Sequence, residues 1–193
     1  SNDKLLGFGT GVIIDADGRV LTNERTIRKW KQTSGAIAYV CLAKNEIDPP
    51  TCSWKARLLN NNEGMDLALL QINQANIKGE WMSMEEYVLR TKFAFSPIKT
   101  DFSVIDTEGV RNGDRLTLFN YLQTGATSIS QTRTQVIGFA QTTQNGKNAP
   151  SIVRVESAVS MQNVGGILLN ENGTLMGIAT KTSGDGTSMS SYT

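Results

Sequence analysis

The feature that most restricts this chain is a tight turn set between two short apolar runs, met near both of its ends. Gly7 to Asp15 (GFGTGVIID) and Arg19 to Asn23 flank the turn Asp15-Ala16-Asp17-Gly18, and LLNENGTLMGIAT turns at Asn172-Gly173. Asp-Gly and Asn-Gly supply the backbone that a tight hairpin needs, so both segments predict β-hairpins. Asp15 and Asp17 are not read as calcium ligands, because a calcium loop of roughly 12 residues with its closing Glu is missing. Further strands are expected at Ala36 to Ala43, Trp54 to Leu59, Arg115 to Phe119, Thr127 to Phe139 and Ser151 to Val155. Asn60-Asn61-Asn62-Glu63-Gly64 reads as a polar turn, and Met65 to Ile72 alternates as a core strand does.

Between these strands the signals are weaker. Glu80 to Thr91 (EWMSMEEYVLRT) has helical spacing for Met84 and Val88 and reads as a connecting helix or surface insertion. Phe93 to Asp106, with Pro97, reads as an irregular crossover with some strand character. The tail from Ser183 is rich in Ser, Thr and Gly and is expected to be mobile unless Met189 to Tyr192 adds a final strand.

Composition narrows the chemistry more than the fold. The 193 residues contain no histidine, so they contain neither a Ser/His/Asp nor a Cys/His arrangement. Two cysteines supply only two soft ligands, and neither a metal nor another cofactor is expected. Nineteen basic and eighteen acidic side chains leave a net charge of +1, which calls for neither nucleic acid nor an anionic surface. The basic group Arg25, Arg28, Lys29 and Lys31 around Trp30 is expected to be a solvated loop or short helix. No run approaches the roughly 20 apolar residues that span a bilayer, and no membrane insertion is expected. Cys41 and Cys52 flank a loop containing Pro49-Pro50 and are read as a cross-strand disulfide, which implies an extracytoplasmic or cell-surface location. Two free buried thiols are the alternative.

Several segments carry a resemblance to one family. Gln162-Asn163-Val164-Gly165-Gly166-Ile167-Leu168 stands before the C-terminal hairpin and resembles GNSGGPL, the nucleophile loop of trypsin-like serine proteases, particularly of their HtrA-like branch. GTGVIID followed by LTNERTI resembles GSGVIID and LTNNHVV, which carry that branch to its catalytic histidine. DLALLQI resembles DLAVLKI, which carries the aspartate. NGDRLTLFNYL and TQVIGF resemble VGDxVxAIGNP and TxGIVSGF, with Asn120-Tyr121-Leu122 in place of the usual Gly and Pro. The weakest stretch is Glu80 to Asp106.

The resemblance implies an all-β fold of two six-stranded antiparallel barrels, as in trypsin and chymotrypsin. The N-terminal barrel would run over 1–76, a connection or insertion over 77–109, and the C-terminal barrel with its tail over 110–193. It places Arg25 at the histidine position, Asp66 at the aspartate and Val164 at the nucleophile, so no triad is intact. Gln162 and Val164 would supply the oxyanion N–H groups, with Gln162 where the family has glycine. Valine has no attacking atom, and a guanidinium has no lone pair with which to accept a proton. Arg25 is therefore expected to pair with Asp66 instead.

The function implied is a non-catalytic module binding an unknown peptide or protein partner. Two alternatives remain open. One is a serine-type peptidase with a non-classical group, such as Ser160 with Lys181, or one supplied by a partner chain. The other is a structural spacer.

Overall fold

A computed structural model describes residues 4–43, 48–100, 110–121, 129–144, 147–156, 164–181 and 188–191. The chain divides into two compact units. The first holds Val12–Pro97 with the segment before Gly9, and the second holds Ile98–Thr193 with Gly9–Gly11.

In chain order the first unit contains β1 (Gly11–Ile13), β2 (Arg19–Thr22), α1 (Glu24–Gln32), β3 (Ala38–Leu42), β4 (Thr51–Asn62), β5 (Leu67–Ile77), β6 (Glu80–Ser83) and α2 (Met84–Thr91). Its strands form one six-stranded sheet in the order β1-β2-β5-β4-β3, with β6 paired to β5 off that path. Both hairpin signals are realised as strand pairs. The first turns through Gly18, whose φ of 81° places it in the left-handed region. A Cβ there would also lie 2.5 Å from the Phe95 ring, so the position suits glycine twice over.

Alternation decides which side of this sheet is core. Ala56 on β4 and Ala68, Leu70 and Ile72 on β5 face inward with Val20, Ile27 and Phe95. Their neighbours Lys55 and Arg57 fall on the opposite face by the two-residue period. Phe95 lies in the irregular crossover yet is only 6% exposed, so that stretch contributes to the core.

The second unit contains β7 (Arg115–Tyr121), β8 (Ile129–Gln144), β9 (Lys147–Val155), β10 (Ile167–Asn170), β11 (Leu175–Lys181) and β12 (Ser188–Ser191). These six strands close into an antiparallel barrel in the order β10-β11-β12-β9-β8-β7. Val110, Leu116, Leu118, Val136, Val153, Val155, Leu168 and Ala179 fill it. The tail's conditional strand exists: β12 pairs with β11 on one side and β9 on the other, and it is one of the staves that close the barrel. The all-β, trypsin-like fold is thus present.

Some boundaries differ from those read in the sequence. Glu80–Ser83 is a strand, and only Met84–Thr91 is helical, because Ser83 caps the helix by accepting a hydrogen bond from the Glu86 N–H at 3.2 Å. Strand β4 runs on through Asn60, Asn61 and Asn62, pairing them with Leu69, Ala68 and Leu67, and the turn begins only at Glu63. Pairing to an apolar partner strand overrides the turn preference of asparagine here. The basic group on Arg25 to Lys31 is helical, lying within α1.

Candidate functional site

The first cluster is built where β2 runs into α1. Thr22 ends the strand, Asn23 occupies the helix N-cap position and Glu24 opens the first turn. Asn23 and Glu24 are both fully buried, which is unusual for an amide and an acid. Hydrogen bonds hold both in place, although the buried Asn23 Oδ1 finds no partner among the described residues. The Asn23 side chain does not cap its own helix; its Nδ2–H donates to the Asp66 carbonyl at 3.0 Å, and the Glu24 N–H donates to the same oxygen at 3.2 Å.

Asp66 stands in the turn before β5 with φ of 54°, a left-handed conformation that aspartate tolerates better than most residues. Its carboxylate is fixed at both oxygens. The Arg25 backbone N–H donates to Oδ1 at 3.0 Å, and the Arg25 Nε pairs with Oδ2 at 2.6 Å. The Asp66 side chain is 12% exposed and that of Arg25 30%, so this is a partly buried charge-assisted pair rather than a surface one. The carboxylate also meets the N-terminal end of α1, where the helix dipole favours negative charge. The pair expected between Arg25 and Asp66 is formed.

Glu24 anchors a second pairing on the same helix. Arg28 donates to its Oε2 through Nη2 at 2.6 Å and Nε at 3.1 Å, and Lys31 Nζ reaches its Oε1 at 3.2 Å. Burial alone would push the Glu24 carboxyl up, but Arg28 and Lys31 together outweigh it and hold the group below its ordinary 4.5. Arg28 is raised in turn, chiefly by its hydrogen bond to Glu24. Lys31 also contacts Glu63 at 3.4 Å, on the turn that carries Asp66. Sequence reading passed over Asn23 and Glu24. The spacing of Glu24 to Arg28 and Lys31, one and two helical turns apart, was the signal that could have found the second.

The remaining residues lie in the second unit or at the sheet edge. Val164 is 4% exposed in the turn before β10. The turn is held by backbone: the Gly165 N–H donates to the Ala179 carbonyl at 2.9 Å, and the Ala179 N–H returns a bond to Gly166 at 2.7 Å. Gly165 has φ of 88°, and a Cβ on Gly166 would come within 2.9 Å of Asn120, Leu118 and the Phe119 carbonyl. Both glycines are therefore required by geometry. Gln162 and Ser160 lie outside the described residues, and Lys181 ends β11. Cys41 and Cys52 form a disulfide joining β3 to β4 where their pairing shifts register.

Chemically, the first cluster offers a guanidinium already paired with a carboxylate, and the second a buried apolar side chain. Arginine has no acceptor atom and valine no oxygen or sulfur. Among the described residues no group of three or more His, Cys, Asp or Glu side chains could hold a metal, and no helix is long and apolar enough to cross a membrane.

The periplasmic serine endoprotease DegP of Escherichia coli K12 is 26% identical over 180 residues, covering 92% of this chain and 30% of DegP. The periplasmic pH-dependent serine endoprotease DegQ of the same strain is 28% identical over 177 residues, covering 90% of this chain and 31% of DegQ. The chain thus spans under a third of the length of these curated relatives. In fold it is similar to the apo MamO protease domain of Magnetospirillum magneticum, with a TM-score of 0.59 and 17% identity over 98% of this chain and 87% of that one. The description "trypsin-like peptidase domain" matches residues 9–178, nearly the whole length, and the chain belongs to that family.

Proposed function

We propose that this domain is a pseudoprotease, a trypsin-like domain that binds a peptide or protein partner and does not cleave it. The carrying observation is the 2.6 Å pair between Arg25 and Asp66, with Arg25 at the position where the family's pattern has its base. By the motif resemblance Asp66 takes the place of the aspartate of that pattern and Val164 that of its nucleophile, and the 193 residues hold no imidazole. A serine protease needs a hydroxyl and a group to take its proton, and these two positions supply neither. A glutamine at 162, where the family pattern has glycine, further disfavours the backbone geometry of an oxyanion hole. An exported setting agrees with the Cys41–Cys52 disulfide and with the periplasmic relatives.

The test pairs an activity assay with a binding assay. The purified domain is incubated with a fluorogenic peptide library and a fluorophosphonate probe, and its affinity for an array of extended peptides is measured in parallel. The expected result is no turnover, no labelling and saturable binding of a subset of peptides. Turnover abolished by Ser160→Ala would overturn the reading in favour of a non-classical peptidase. Absence of any saturable partner would overturn it in favour of a spacer. Restoring Arg25→His and Val164→Ser together should give at most weak activity, because Gln162 remains.

A further inference from the structure

We propose that the Cys41–Cys52 disulfide is a reversible redox switch, opened by a dithiol reductant while the chain stays folded, and that it sets the conformation of β3. Such a switch would operate whether or not the domain binds a peptide.

Access comes first. Thiol–disulfide exchange needs a thiolate to reach one of the two sulfurs, and exposed disulfides are the more readily reduced ones. Cys52, the second residue of β4, is exposed, and Cys41 on β3 is half-buried. Neither belongs to the buried core of the first unit. Cysteines sealed in a core are inert by comparison.

The strands around the bond are held without it. β4 pairs with β5 from Trp54 to Asn62, and β3 pairs with β4 at Ala38, Tyr39 and Val40. The bond joins residues only 11 apart in sequence, so cutting it frees a short loop and adds little to the freedom of the unfolded chain. Reduction is therefore a local event rather than an unfolding one.

What the bond does hold is an irregularity. Val40 faces Trp54 and Leu42 faces Thr51, so two steps along β3 are matched by three along β4. Such a bulge disrupts the ladder and re-aims the side chains beside it. The disulfide ties Cys41 to Cys52 inside this stretch and fixes the mismatch. Once it opens, the end of β3 beyond Val40 has a second arrangement within reach. There the bulge moves or is lost, and Leu42, half-buried against the core, leaves its place. A local covalent change that biases a two-state element is the general form of a redox sensor.

The change is read across the sheet. Tyr39 sets its ring 5.8 Å from that of Trp81 on β6, and Lys55 Nζ lies 4.0 Å over the same indole. Tyr39 and Lys55 are register partners one step from the Val40–Trp54 pair that borders the bulge. A shift in β3 thus alters the surroundings of Trp81.

The step balances with one dithiol. Its thiolate attacks the Cys52 sulfur, breaking the Cys41–Cys52 bond and forming a mixed disulfide, and Cys41 leaves as a thiolate. The second thiol of the reductant then closes on the first, forming the reductant's own S–S bond and releasing Cys52. Two electrons pass to the protein, and each cysteine takes up a proton.

The experiment treats the whole chain with graded ratios of reduced to oxidised dithiothreitol in native buffer. Free thiols are trapped by alkylation, and amide hydrogen exchange is read residue by residue. Both cysteines should be alkylated while the core amides of Leu70, Ile72 and Leu168 stay as protected as before. Exchange at Tyr39 to Leu42 should accelerate roughly tenfold or more, and oxidation should restore it. Tryptophan fluorescence should shift on reduction, and Trp81→Phe should abolish the shift. Cys41→Ser with Cys52→Ser should show the faster exchange permanently and no response to dithiothreitol. If that variant fails to fold, reduction of the unaltered chain still decides the matter. Alkylation that occurs only in denaturant would overturn the proposal, because the fold would then seal the bond. Reduction that leaves β3 exchange unchanged would overturn it too, and so would reduction that opens all of β1 to β6, the mark of a plain staple.

Discussion

The first unit buries paired charges where its sheet meets α1, whereas the described core of the second unit is apolar. In the former, Asp66 and Glu24 are buried against Arg25, Arg28 and Lys31, and a disulfide ties the edge hairpin. In the latter, Leu168, Ile178 and Ala179 are fully buried, and glycines allow strands to approach closely within a closed barrel. A closed barrel satisfies its own backbone and can rely on packing. An open path has fewer neighbours to pack and depends more on directional contacts, which are costly to break one side at a time. The two halves should therefore fail under different insults.

The largest expected effect lies in the barrel. Leu168→Ala should cost about 3 to 5 kcal/mol, because a fully buried leucine leaves a cavity that surrounding strands cannot collapse into. Hydrogen exchange resolved by unit should show the loss in β7 to β12 and little change in β1 to β6. Equal loss in both would mean that the units unfold as one, and the comparison would not hold.

Removing a charge should strike the other half. Asp66→Ala leaves the guanidinium of Arg25 and the N–H of the same residue without their carboxylate, at a cost of about 3 kcal/mol given partial burial. Asp66→Asn should cost less, since an amide oxygen still accepts from that N–H. Local exchange in α1 and at the start of β5 is the measurement, with the barrel as internal control.

Acid sharpens the contrast without any substitution. The Glu24 carboxyl is held below its ordinary value of 4.5, so its contribution is fully present above that pH. It is lost as pH falls through the lowered folded value. Exchange in α1 should accelerate on acidification below 4.5 before exchange in the barrel core does. An α1 that stays protected until the barrel opens would contradict the assignment. The smallest effect is at α2, where Ser83→Ala removes an N-cap worth about 1 kcal/mol and should fray only that helix.

The fold was legible because its signals are local and periodic. Asp17-Gly18 and Asn172-Gly173 announce hairpins, and Met65 to Ile72 alternates cleanly into β5. Arg25 and Asp66 were found by resemblance, and their pairing followed from the positions the resemblance gave them together with their opposite charges. What escaped depends on distant partners. Asn60 to Asn62 look like a turn until the facing strand is known, and nothing near Phe95 says that its ring lies beside Gly18. Glu24 sits in a basic run that reads as solvated, yet its burial is set by the sheet beneath it.

The bond from the Arg25 backbone N–H to Asp66 Oδ1 belongs to the main chain and does not depend on which side chain stands at 25. Whatever residue mutation places there inherits an acid already aimed at it. On the pseudoprotease reading proposed above, the orientation of the aspartate is kept by the main chain, and what is lacking is the imidazole and the hydroxyl.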